Sequence, residues 1–226
     1  YIEDSFDLTT AYRQQDLPIA DALRWLSLLH DIPIAPATCD QFANRDLRQL
    51  NHAHQYVIPF AQDLPIDLDL VATGLESVRH EVSQNGLIRA AASELGELYL
   101  GSTASTPQTA SLLHGDFYPG SFLSRRSDGK FYVIDPEFCF VGPREYDLGI
   151  LSAHAILCGM GIERITDWIS RAYSNDSVID QKLWKVFAGI EILRRILGVA
   201  QLPLSGDINQ RNRCVQSAIS LVEQNC

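Results

Sequence analysis

The stretch that decides the fold is HGDFYPGS at residues 114–121, which follows a short apolar strand candidate at 111–113. Two glycines and a proline within this stretch predict a tight, irregular loop, because both residue types favour turns. Such a loop can hold the carboxylate of Asp116 outside regular hydrogen bonding and aim it at a cleft. That carboxylate would suit a base that orients the proton of an attacking hydroxyl. A turn in which Asp116 only caps neighbouring backbone is the alternative.

A β-hairpin is predicted directly after this loop. The apolar residues 122–123 and 131–134 flank Ser-Asp-Gly-Lys at 127–130, a sequence typical of a hairpin turn. The hairpin is the main β element expected in a chain whose other segments are mostly helical.

Two acids follow the second strand of the hairpin, at Asp135 and Glu137. In an extended stretch residues i and i+2 point to the same side, so we expect both carboxylates to share one side. Carboxylates and hydroxyls are hard oxygen ligands suited to Mg²⁺, and Ser121, five residues after Asp116, is placed to add its hydroxyl. A strand-end turn with two solvated acids is the alternative.

Helical patterns dominate the rest of the chain. We expect a first helix capped by Asp16, with Pro18 in its first turn, that ends at 31–33 before a proline. Residues 34–73 predict short helices and loops, and 101–109 a loop. Further helices are predicted at 75–100, weakened at 85–86, and at 145–158, 162–174, 180–200 and 207–224. The fold class predicted is α+β, mostly helical, with a small β-hairpin that carries the candidate site.

A late helix carries adjacent arginines, Arg194 and Arg195. At about 100° per residue Arg194 falls beside an apolar stripe, and Arg195 lies about 100° further round. A buried arginine is costly unless it is paired. Salt bridges from Glu191 at i+3 and i+4 and contact with a substrate are both open interpretations. The stripe consists of Leu183, Val186, Phe187, Ile190, Leu193 and Leu197.

Charge and composition exclude several classes of protein. A net charge of −10 disfavours a nucleic-acid partner, because an acidic surface repels phosphates. Five cysteines without a CxxC pattern indicate a reducing compartment rather than a disulfide framework. The least polar stretch, 148–162, is short for a membrane span, and no signal-peptide pattern is visible at the start. We therefore expect a cytoplasmic protein without a membrane partner.

The order of these motifs resembles the aminoglycoside phosphotransferase and choline kinase superfamily. The resemblance is closest to methylthioribose kinases, which are similar in a serine at Ser121, in DPEF at 135–138 and in a late arginine pair. Gly-Pro at 142–143 and YDLG at 146–149 also resemble that family.

The resemblance implies a role for each of the motif residues. Asp116 would be the catalytic base and contact the substrate. Ser121, Asp135 and Glu137 would bind Mg²⁺, the first two also serving the nucleotide. Arg194 and Arg195 would contact the substrate. Asp147 would brace the catalytic loop, or be only a helix-start acid favoured by the dipole.

The function implied is ATP-dependent transfer of a phosphoryl group to a hydroxyl of a small molecule, such as a methylthioribose-like sugar. Tyr118-Pro119 stands where methylthioribose kinases have His-Thr, so the acceptor stays open. An aminoglycoside or choline-type kinase, a non-catalytic kinase-like scaffold and a metal-dependent hydrolase are the alternatives, and a homodimer is left open.

The resemblance also predicts how the chain is organised. Residues 1–226 would form one protein-kinase-like C-terminal lobe. No glycine-rich phosphate loop or strand lysine precedes the hinge in this sequence. An N-terminal ATP-clamping lobe is therefore not present in this sequence, and the whole protein either carries it outside these residues or lacks it.

Overall fold

Helices make up most of the structure, a computed structural model that describes residues 2–61, 63, 66–101, 110–173, 179–202, 204 and 207–226. The α-helices among them are α1 Ala11–Gln14, α2 Ile19–His30, α3 Arg45–His52, α4 Leu75–Gln84, α5 Gly86–Gly101, α6 Glu145–Leu157, α7 Ile162–Ala172, α8 Leu183–Leu197 and α9 Ile208–Glu223. Short 3₁₀ or π turns lie at Pro36–Phe42, Ala53–Val57, Ile58–Phe60, Leu68–Leu70, Pro119–Ser121 and Pro136–Phe138. Apart from Gly101, the loop predicted at 101–109 lies outside the described residues. No helix in the described ranges is both long and apolar enough to cross a membrane.

The strands are β1 Ser5–Asp7, β2 Ala110–Leu113, β3 Phe122–Arg125, β4 Phe131–Val133 and β5 Phe140–Pro143. They form two small antiparallel sheets. One has the order β1-β3-β4 and contains the predicted hairpin, in which Phe122 pairs with Val133 and Gly129 adopts a φ of 67° in the turn. The other pairs β2 with β5, so the strand before the candidate loop is held by the strand after the turn that contains Asp135 and Glu137.

The core is centred on α8, which packs against α6 on one side and α9 on another. The apolar stripe predicted on this helix packs into the core, but it is not the only buried face. Every residue from Val186 to Leu197 is buried, including both arginines, because helices and the site loop surround α8. The apolar stripe therefore marks only part of its buried surface.

Two helix boundaries differ from the sequence prediction. The helix predicted to start with Asp16 as its cap begins at Ile19, with Pro18 at the N-cap position and no side-chain cap. Proline suits this place because its fixed φ fits a helix start. The helix predicted at 75–100 is two helices, since Asn85 is extended and its side chain accepts hydrogen bonds from the first backbone N–H groups of α5.

These differences leave the architecture as predicted. The helices at 145–158, 162–174, 180–200 and 207–224 are each found within a few residues of their predicted ends. The α+β fold class, with a mostly helical body and a small hairpin beside the candidate loop, is confirmed.

Candidate active site

The backbone of the candidate loop is held by Asp147, which is fully buried in the first turn of α6. Its carboxylate accepts hydrogen bonds from the backbone N–H of His114 at 2.7 Å and of Gly115 at 3.1 Å. His30 of α2 contacts the same carboxylate at 3.2 Å. Gly115 has a φ of 85°, and a Cβ there would collide with the carbonyl of Phe138. These contacts favour the brace over a purely dipolar role for Asp147.

The loop and the hairpin are joined at Ile134, the residue before Asp135. The backbone N–H of Ile134 donates to the carbonyl of Ser121 at 2.9 Å, and its carbonyl lies 2.9 Å from Nε2 of His114. Because a carbonyl only accepts, Nε2 carries the proton, and Nδ1 is free to accept the backbone N–H of Asp116 at 3.4 Å. Hydrogen bonds therefore join the candidate loop directly to the end of the hairpin at Asp135.

Asp116 is partly buried, with 24% of its side chain exposed, and lies 3.3 Å from Nη2 of Arg195. Burial raises the pKa of its carboxyl, while Arg195 and Arg194 oppose that rise. A partly exposed carboxylate on a fixed loop, with a guanidinium beside it, can accept a proton from a bound hydroxyl. Among the described residues the hydrogen-bond partner of this side chain is Arg195 of α8, which disfavours the turn-capping alternative.

Asp135 and Glu137 do not lie in an extended stretch, so the reason given for their shared side was wrong. Asp135 adopts a left-handed conformation with a φ of 58°, and Pro136–Phe138 forms a 3₁₀ turn. Both acids are exposed. Ser121 is buried, and its hydroxyl donates to the carbonyl of Asp116 at 2.9 Å.

The acids and the hydroxyl nevertheless have the chemistry of a Mg²⁺ site. Within the described ranges neither Asp135 nor Glu137 forms an ion pair, and the oxygen lone pairs of Ser121 remain available. No group of three or more His, Cys, Asp or Glu side chains gathers there to hold a metal ion. Mg²⁺ commonly binds through one or two carboxylates and takes its other ligands from water and substrate phosphates, so this donor set fits.

The two arginines of α8 lie at the back of the site and share one partner, Glu191. Arg194 Nη1 lies 3.0 Å from each Glu191 oxygen, and Arg195 Nε lies 2.6 Å from Oε1. The salt-bridge interpretation is therefore correct for both arginines. The salt bridges do not use all the hydrogen-bond donors of the two arginines. Arg195 also contacts Asp116, and the buried Nε of Arg194 has no acceptor among the described residues.

The sequence analysis missed His154 and Tyr12 as parts of this site. His154 of α6 lies 3.3 Å from Glu191, and its other ring nitrogen lies 2.5 Å from the hydroxyl of Tyr12. The only signal in the sequence was a histidine within the apolar stretch at 148–162. Its partners come from elements far apart in the chain.

Tyr118 of the candidate loop packs against α8. Its ring covers the guanidinium of Arg195 at 4.8 Å. Burial raises the pKa of its hydroxyl, and both Asp116 and Asp135 add to that rise. Asp135 also borders a cavity of about 500 Å³, lined by Ile2, Asp4, Ser5, Leu123, Arg126, Ile134 and Asp135.

The fold and the site define a mostly helical α+β protein in which a buried carboxylate holds a loop that carries a partly exposed one. Residues 8–161 match the model of the phosphotransferase enzyme family, which is most of the chain. The chain therefore belongs to that family, and the resemblance stated from the motifs is confirmed.

Individual relatives make the similarity more particular. The chain is 26% identical over 222 residues to a methylthioribose kinase of Exiguobacterium sibiricum, covering 83% of this chain and 54% of that protein. It is 30% identical over 132 residues to a methylthioribose kinase of Geobacillus thermodenitrificans, covering 45% and 33%. The chain thus spans about half the length of the first relative.

A solved structure with the same fold is spectinomycin phosphotransferase in complex with ADP and spectinomycin. The TM-score is 0.53 at 14% sequence identity, and the match covers 99% of this chain and 70% of that chain. At this identity the comparison concerns the fold alone.

Proposed function

We propose that this chain forms the catalytic and substrate-binding lobe of a small-molecule kinase that transfers the γ-phosphoryl group of ATP to a hydroxyl. The observation that carries the proposal is the position of Asp116. Its carboxylate is partly exposed on a loop that Asp147 fixes, and Arg195 lies 3.3 Å from it. A binding scaffold needs neither the braced loop nor unpaired acids beside it.

Asp116 would accept the proton of the acceptor hydroxyl as that oxygen forms its bond to the γ-phosphorus. The bond between that phosphorus and the β,γ-bridging oxygen breaks, so that ADP leaves. Arg195, 3.3 Å from Asp116, limits the rise in its pKa and keeps the carboxylate able to take a proton. Family membership and the similarity to methylthioribose kinases support this class of reaction.

Asp135, with Ser121 and Glu137, would hold Mg²⁺. When bound, the metal neutralises phosphate charge and fixes the orientation of the phosphates. Asp135 borders the cavity of about 500 Å³, which would receive part of the nucleotide. An ATP-clamping lobe would cover the nucleotide from the other side, as the sequence analysis predicts.

The acceptor is proposed to be neutral or anionic, with a methylthioribose-like sugar as the first candidate. Arg195 lies 3.3 Å from Asp116, and the buried Nε of the neighbouring Arg194 has no acceptor in the described part of the chain. An oxygen of a sugar hydroxyl could accept that N–H. Two guanidinium groups would repel a cationic amine, which disfavours an aminoglycoside or choline as acceptor.

The proposal is tested by ATP consumption in the full-length protein with a panel of sugar, aminoglycoside and amino-alcohol acceptors. Asp116→Asn keeps the size of the side chain but removes its basicity. We expect kcat with the best acceptor to fall by about 100-fold or more, because loss of a general base typically costs that much. Nucleotide affinity should be almost unchanged.

Asp167→Asn is the matched control, since Asp167 lies on α7 and forms an exposed ion pair with Arg171 of the same helix. It should leave kcat and both KM values at wild-type levels. Wild-type turnover by Asp116→Asn would remove Asp116 as the base. If none of the acceptors in the panel supports ATP consumption, the scaffold alternative is favoured.

A further inference from the structure

Glu191 is the centre of a buried hydrogen-bonded cluster behind the site. Its side chain is 1% exposed, yet it is a carboxylate inside the core helix α8. Arg194, Arg195 and His154 all direct nitrogen atoms at it, at 3.0, 2.6 and 3.3 Å. Burial alone would raise the pKa of Glu191, but the two arginines outweigh it and hold the pKa well below its usual range. Glu191 is therefore an anion that only accepts hydrogen bonds.

The state of Glu191 fixes the proton on His154. Nε2 of His154 faces an acceptor and must carry its proton, so Nδ1 accepts from the hydroxyl of Tyr12 at 2.5 Å. Burial lowers the pKa of His154 to about 4, so the ring is neutral near pH 7. The donors run in one direction, from Tyr12 through His154 to Glu191.

Arg195 connects this cluster to the site. Its Nε donates to Glu191 at 2.6 Å, and its Nη2 lies 3.3 Å from Asp116. The ring of Tyr118 covers its guanidinium at 4.8 Å. Because a guanidinium is planar, a bond at Nε fixes the direction of Nη2. The place of Arg195 beside Asp116 is thus determined by Glu191.

The cluster is also balanced in charge. Asp116 and Glu191 are anions, Arg194 and Arg195 are cations, and His154 is neutral. Buried ion pairs contribute little net stability compared with well-packed apolar residues, and removing one partner leaves the others uncompensated. The stability of α8 alone therefore gives little reason for four charges at this place.

We propose that Glu191 is a positioning residue of the site, held by His154 and Tyr12, which orients Arg195 toward Asp116 and Arg194 toward the acceptor. The proposal rests on the proposed function, in which Asp116 receives the acceptor proton. Glu191 touches neither reactant. It acts through the two guanidinium groups that do.

Glu191→Gln tests this role, because glutamine keeps the length of the side chain and removes the charge that holds both arginines. We expect kcat with the best acceptor to fall by about 100-fold, since small misplacements of a reacting group have effects of that size. The KM for the acceptor should rise, while the KM for ATP stays within about twofold because neither arginine borders the cavity beside Asp135. A purely structural role would lower the amount of folded enzyme and leave both KM values unchanged.

Glu76→Gln is the matched control. Glu76 forms an i,i+3 ion pair with the buried Arg79 of the same helix, α4. Neither residue contacts Asp116 among the described residues. Removing this pair should alter thermal stability and leave kcat and both KM values at wild-type levels. Glu191→Gln with kcat and acceptor KM like the control would overturn the proposal.

A second variant decides the matter if Glu191→Gln does not fold. Tyr12→Phe removes only the hydroxyl that bonds His154, at the far end of the cluster from Asp116. We expect kcat to fall by about fivefold, which corresponds to one net hydrogen bond lost from the positioning cluster. Wild-type turnover in this variant would then overturn the proposal.

The experiment separates the two proposals. Loss of turnover in Asp116→Asn, together with normal kinetics in the Glu191 and Tyr12 variants, would contradict only the positioning role. Normal turnover in Asp116→Asn would contradict the proposed function first.

Discussion

At the scale of the residue, Asp116 experiences two opposing effects. Burial against the loop and α8 disfavours its charged form and raises its pKa, while Arg195 and Arg194 favour the charge. The net shift is upward. A base with a raised pKa accepts a proton more readily, provided that it is still ionised at the working pH.

The raised pKa predicts the acidic side of the pH–rate profile. We expect kcat/KM for the acceptor to fall as pH decreases through the pKa of Asp116, at a pH above the ordinary aspartate value of about 3.9. The reason is that only the ionised carboxylate can take the proton. Initial rates measured between neutral and acidic pH in a constant-ionic-strength buffer would give this midpoint.

Unfolding must be separated from titration in that measurement. Circular dichroism at each pH, and recovery of the rate after a return to neutral pH, would serve as the control. A rate that stays constant below pH 4 in folded protein would contradict an ionised Asp116 as the base.

At the scale of the element, the site depends on how closely α6 and α8 approach. Gly149 lies at their contact, where an added Cβ would collide with the Cβ of Phe187 and lie 2.9 Å from the carbonyl of Trp184. Asp147 and His154 belong to the same helix, and Glu191 and Arg195 to the other. The distance between the helices therefore sets the geometry of the buried cluster, in which His154 meets Glu191.

Gly149→Ala should destabilise the protein by about 1–3 kcal/mol, because overpacking at a helix contact forces backbone apart. Gly86→Ala is the matched control, since an added Cβ at this start of α5 meets nothing within 4 Å. It should be neutral or stabilising by up to about 1 kcal/mol. Urea unfolding of both variants measures the difference, and equal stabilities would contradict the close approach of α6 and α8.

At the scale of the whole molecule, the buried cluster ties together three parts of the chain. Tyr12 comes from α1, His154 from α6 and Glu191 from α8, and each is buried. His154 stays neutral in the fold, with its pKa lowered to about 4 by burial. In the unfolded chain a histidine titrates near pH 6.5, at about its ordinary value.

Acid should therefore weaken the fold. Between pH 6.5 and about 4 the unfolded state binds a proton at His154 that the folded state does not, so stability is lost as pH falls through this window. The loss approaches about 1.4 kcal/mol for each pH unit. Urea unfolding at several pH values would measure the slope.

His154→Gln should flatten that slope, because glutamine does not titrate. The matched control His80→Gln replaces an exposed histidine of α4 and should leave the slope as in wild type. An equal slope in wild type and His154→Gln would show that other groups account for the acid sensitivity.

The homodimer left open by the sequence also belongs to the scale of the whole molecule and stays a prediction.

The sequence by itself determined the elements and the chemistry they carry. Glycine and proline fix the loop around Asp116 locally, and the hairpin turn needs Gly129 at positive φ. Apolar periodicity placed the late helices within a few residues. These features depend on neighbours in the chain, which is why they can be predicted from it.

The tertiary structure alone decided which side chains meet. Asp135 adopts a left-handed conformation that the extended pattern did not predict. Glu191, His154 and Tyr12 come together from separate helices, and nothing in the local sequence of any one of them indicates the other two. Hydrogen bonds and burial between distant segments depend on packing, and packing is a property of the folded chain as a whole.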